Sequence, residues 1–173
     1  MTNGKIWGTG FETGTFSEVT AIIGSPVVTT EHVYAGIYAA KFPSRGDAVI
    51  QNFGVNPWFE VECAFMVTNL PTPWQTVMLA KLAKLGVSDL AFVRLAEVSG
   101  GTDYRIVIDK YFWGNVQVQS NPITINPLEW HVLRIRFVSD AVNGEFRAFL
   151  DGVEILANTG LNTSNVTGCD QII

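Results

Sequence analysis

Three sets of residues have the types and spacing to do chemistry. Tyr111, Phe112 and Trp113 run consecutively, Gly114 ends the run, and Asn115 and Gln117 follow. An extended backbone turns successive side chains to opposite faces, so three adjacent aromatics cannot all enter a core. Rings beside amides suit a sugar, which presents apolar C–H faces and a fringe of hydroxyls. Trp74, between Pro73 and Gln75, is a second aromatic in a loop. Arg105, in the strand before Tyr111, is a polar contact for the same ligand. The candidate glycan contacts are therefore Trp113, Tyr111, Asn115, Arg105 and Trp74.

The second set is a pair of carboxylates. Glu60 and Glu62 project from one strand face roughly 7 Å apart, inside the window of about 5–9 Å that glycoside hydrolysis uses. Ala64 and Met66 continue that face, so the pair reads as two solvated glutamates. The third set holds the metal ligands and nucleophiles. There are two histidines, His32 and His131. No activated-nucleophile motif accompanies them, and His131 alternates with core positions, so it reads as a buried, satisfied residue. Asp140, Asn143 and Glu145 offer part of the about six to eight oxygens that calcium takes, but Asn143-Gly144 is a turn dipeptide and explains them better. No cofactor is expected. Cys63 sits in an apolar alternation and Cys169 outside any C-x-x-C pattern, which argues against zinc and leaves a bridge between them open.

Charged residues are 16% of the 173, against roughly 25% in an average soluble domain. A net charge of −5 and scattered basic residues exclude a nucleic-acid binder. No apolar run reaches the roughly 18 residues of a helical membrane span. The first five residues carry one positive charge with no apolar run behind it, and do not read as a signal peptide. Few charges alongside five Trp, eleven Phe and four Tyr imply either a deep core or a surface partly covered by neighbours.

The elements that must position these residues are strands. Residues 59–67 alternate, with Phe59, Val61, Cys63, Phe65 and Val67 on one side and Glu60 and Glu62 on the other. Period two with one polar face marks a half-buried antiparallel strand. Residues 103–109 and 130–137 repeat the pattern. Asn143-Gly144 and Asp151-Gly152 read as turns, the second as a two-residue hairpin. Residues 76–85 are good helix formers, yet the regularly spaced strands around them predict a strand. The chain reads as one all-β domain over 1–173, a two-sheet antiparallel β-sandwich.

An ordered set of motifs then stands out. Gly10-Phe11-Glu12-Thr13-Gly14 is similar to an opening strand, and Gly36-Ile37-Tyr38-Ala39-Ala40-Lys41-Phe42 to the strand that follows it. Residues 129–137 and 143–152 carry a Trp-His strand, a small turn and an Asp-Gly hairpin. Together they resemble the concanavalin A-like lectin/glucanase jelly rolls, in their laminin-G-like bacterial and phage branch. The resemblance spans nearly the whole chain and implies fold far more than activity. It also implies one more strand after 170–173, so the domain is expected to lack that strand or take it from another chain. The Glu-x-Asp-x-x-Glu of this fold's glycanases and the Gln-x-His of its lyases are absent.

These readings converge on a non-catalytic, lectin-like structural or surface-attachment module. It is expected to sit among other protein chains of an assembly, such as a phage virion, or in a homo-oligomer, at a virion or extracellular surface. Glycans are expected partners; nucleic acid and membrane are not. The alternatives are a carbohydrate-binding module of a secreted or cell-surface protein and, behind it, a glycanase or polysaccharide lyase.

Overall fold

A computed structural model describes residues 10–84, 88–98, 103–110, 116–161 and 169–173. The described residues form antiparallel strands and no helix. In chain order the strands are β1 (Ala21–Ile23), β2 (Val27–Thr29), β3 (Ala39–Lys41), β4 (Ala48–Asn56), β5 (Trp58–Met66), β6 (Thr76–Lys84) and β7 (Ser88–Glu97). They continue with β8 (Tyr104–Lys110), β9 (Val116–Gln119), β10 (Trp130–Val138), β11 (Gly144–Leu150), β12 (Val153–Leu161) and β13 (Cys169–Ile172). Two units result, Met1–Gly54 with Gln171–Ile173, and Val55–Asp170.

In the first unit β1 pairs with β4, and β2 with β3. Gln171 donates to Asn52 Oδ1 at 2.8 Å, tying β13 to β4. Two of the sequence motifs meet here: Glu12 Oε2 accepts the Ile37 N–H at 3.1 Å. Gly36 has φ 79°, which favours glycine, and a Cβ there would push the Glu12 carboxylate off the Ile37 N–H. The expected strand at 10–14 is instead a turn, closed by Gly14 N–H donating to Phe11 O at 2.8 Å. Phe11 and Gly14 both have positive φ, which an extended strand does not allow.

The second unit holds the core. One array runs β12-β11-β10-β5 and the other includes β6-β7-β8-β9. Alternation decides what each buries. Along β10, His131, Leu133, Ile135 and Phe137 are buried while Arg134 and Arg136 are half-exposed. Along β11, Phe146, Ala148 and Leu150 are buried. In the other array Val93, Leu95, Ile106 and Ile108 are fully buried. Each array thus has one apolar face, giving a β-sandwich-like, all-β fold. Outside, the charges pair: Arg136 with Glu145 at 2.8 Å, and Arg147 with Glu154 at 2.8 Å. Residues 76–84 are strand, as their neighbours predicted, because pairing with β7 outweighs a weak helical preference.

The Asp151-Gly152 hairpin is pinned to the core. Both residues have positive φ, 51° and 82°, as a two-residue turn of this type requires. His131 Nδ1 lies 2.8 Å from Asp151 Oδ2, and the Val132 N–H donates to Asp151 Oδ1 at 2.7 Å. Burial pushes the Asp151 carboxyl up, but the His131 hydrogen bond, the Val132 N–H and the imidazole's charge outweigh it and hold the carboxyl below its ordinary range. A lowered folded-state pKa stabilises fully above the unfolded value and is lost as pH falls through the folded one. Asp151→Asn keeps the size and tolerates the left-handed backbone, yet loses the charge. It is expected to cost about 1 kcal/mol at pH 7, with the gap closing below about pH 4. Urea unfolding of both proteins at pH 7 and pH 3 measures this; a gap that does not change with pH contradicts it.

Candidate ligand-binding recess

Residues 72–75 form a tight turn, in which the Gln75 N–H donates to Thr72 O at 2.8 Å. Pro73 takes the second position, which its fixed φ suits, and Trp74 the third, with φ 66°. A proline there followed by a positive φ is type II geometry, where glycine or asparagine is normal. Tryptophan in the left-handed region costs roughly 1–2 kcal/mol. Burial does not offset that cost, since the side chain is 79% exposed. The Trp74 ring is therefore strained, bulky and solvent-facing, held out by the turn rather than by packing.

Trp74 stands at the rim of a recess of about 550 Å³ on the outer face of the β6-β7-β8-β9 array. Its floor is Ala96 and Val107, 5% and 1% exposed. The register assembles the rest. Across one row Thr76 faces Ala96 and Ala96 faces Arg105; across the next Arg94 faces Val107 and Val107 faces Gln119. All these positions point away from the core, because they alternate with Val93, Leu95, Ile106 and Ile108.

The polar groups are oriented. Arg105 donates from Nε and Nη2 to the two oxygens of Asp103, at 2.9 and 2.8 Å. The guanidinium holds Asp103 below the usual carboxylate range, and the carboxylate in turn raises Arg105, so both stay charged at neutral pH. Arg94 pairs with Asp109 on the same face. Its Nε is buried and has no hydrogen-bond partner among the described residues. Glu97, 2% exposed, borders the recess but shares the core-facing side of β7 with Val93 and Leu95.

Of the five residues expected to bind glycan, Trp74 and Arg105 share this recess. Tyr111, Trp113 and Asn115 lie outside the described residues. Sequence reasoning missed Arg94, Asp103, Gln119 and Thr76. The available signal was a charged residue, Arg94, at every-other spacing in the apolar run 91–96.

The remaining candidates do not converge. Glu60 and Glu62 are exposed on β5, with Arg134 Nη1 3.8 Å from Glu60. Asp140 Oδ1 accepts the N–H groups of Val142 and Asn143 at 2.8 and 2.7 Å, while Glu145 pairs with Arg136 and Arg147. Asp140 thus closes a turn. Among the described residues no three His, Cys, Asp or Glu gather as a metal site. Cys63 is a free thiol, pushed up to about 11 by burial and by the Glu62 charge, and is a poor nucleophile there.

No family model matches the chain, and no curated protein matches it.

Proposed function

We propose that this chain is a non-catalytic, lectin-like jelly roll of the concanavalin A-like type, serving as an attachment module within a larger assembly such as a virion, and touching glycan through the Trp74–Arg105 recess. The observation that carries this reading is Trp74. Its ring is held out by a turn that disfavours it, above an apolar floor flanked by oriented hydrogen-bonding groups. Sugar binding needs that combination: a flat ring for C–H groups and fixed donors and acceptors for hydroxyls. The recess carboxylate Asp103 and its neighbour Asp109 are each paired to an arginine, which favours holding a ligand over attacking one.

Assembly is supported by the first unit. Of its described residues only Pro26 is buried, while Ile22, Ile23, Tyr34, Ile37 and Phe42 are each 46–62% exposed. A sparse core with this many exposed apolar side chains favours a covering partner.

The test is a glycan array probed with the folded chain, alongside its native mass at high concentration. Specific glycan binding together with an oligomer is the expected result. Binding by a strict monomer turns the reading into that of a carbohydrate-binding module. An array without signal removes the glycan function.

A further inference from the structure

The charges around the recess are already matched, and this restricts which sugars enter. Two guanidiniums serve it, Arg94 and Arg105. Asp103 occupies the Nε and Nη2 edge of Arg105, and Asp109 occupies Arg94. Two cations against two anions balance. Among the described residues lining the recess, a carboxylate or sulfate on a ligand finds no uncommitted cation. It must displace Asp103 or Asp109 from a pair whose members are only 21–28% exposed, and then sit among like charges.

Hydroxyls meet the opposite situation. Each donates one hydrogen bond and accepts up to two. Arg105 keeps its Nη1 edge, and Arg94 keeps an Nε hydrogen that is buried and without a partner among the described residues. Carboxylate lone pairs accept alongside them, and the Thr76 hydroxyl offers both roles. Ala96, Val107 and Trp74 supply apolar surface for ring C–H groups. The volume of about 550 Å³ suits a small ligand.

We infer that the recess takes a neutral, hydroxyl-rich pyranoside and rejects uronic, sialic and sulfated sugars. This rests on the glycan reading above and narrows it to a ligand class. The experiment titrates the full chain at low salt with cellohexaose, mannohexaose and galactan fragments, and in parallel with oligogalacturonate, alginate and heparin fragments. Neutral ligands are expected to bind at least about tenfold more tightly than anionic ones. Anionic fragments that bind equally or better overturn the inference and leave glycan binding standing. Silence from both classes overturns the inference and the glycan reading together. Asp103→Asn releases Arg105 from its carboxylate, so it is expected to raise oligogalacturonate affinity several-fold; a loss for both classes alike contradicts the charge argument.

Discussion

Phe146→Ala is expected to lower folding stability by about 3–5 kcal/mol, the range for emptying a large buried aromatic site. Phe146 is 1% exposed and sits mid-strand in β11. Its ring meets Phe137 edge-on with centroids 5.8 Å apart, and Phe137 meets Phe59 at 5.3 Å. The three lie in one registered row across β11, β10 and β5, so removing the ring leaves a cavity that neither neighbour can fill without breaking register. A loss of that size is a large fraction of the roughly 5–15 kcal/mol that holds a domain together. Chemical denaturation reads it as a lower midpoint at unchanged slope. A loss below about 1.5 kcal/mol shows that this row is not the centre of the core.

Trp74 separates binding from folding. Trp74→Ala is expected to weaken glycan binding by roughly 30-fold or more, about 2 kcal/mol, as for an anchoring aromatic at a contact centre. Its folding stability should stay within about 1 kcal/mol of the parent, because an exposed ring gives up little burial. Trp74→Gly should lose binding equally but be more stable than Trp74→Ala by about 0.5–1 kcal/mol, because glycine takes φ 66° without strain. A packing role for the ring predicts the reverse, with both variants destabilised and glycine the worse. Isothermal titration and thermal melts on the two variants distinguish these outcomes.

Much of the second unit was legible from local pattern. Alternation over 59–67 and 130–137 predicted which side chains face inward: β10 buries its set, while β5 buries Phe59 and leaves Val61, Cys63 and Phe65 half-buried. Asp151-Gly152 announced its hairpin because both positions need positive φ. The strand at 76–84 needed context, as its composition alone favours helix. Residues 10–14 misled, because a Gly-Phe-Glu-Thr-Gly string has no period, and its two positive φ values make a turn.

The amino-acid sequence by itself determined which residues face in, where the chain reverses, and that Trp74 would stand in a loop. All of these are decided within a few residues along the backbone. Only the tertiary structure decided that Trp74 and Arg105 share a recess with Arg94, Asp103 and Gln119. Those residues come from four stretches of chain, and hydrogen-bonded register between β6, β7, β8 and β9 sets which of them become neighbours. Shifting one strand by a single residue turns its polar groups to the core face, so the site exists only once the sheet has closed on one pairing.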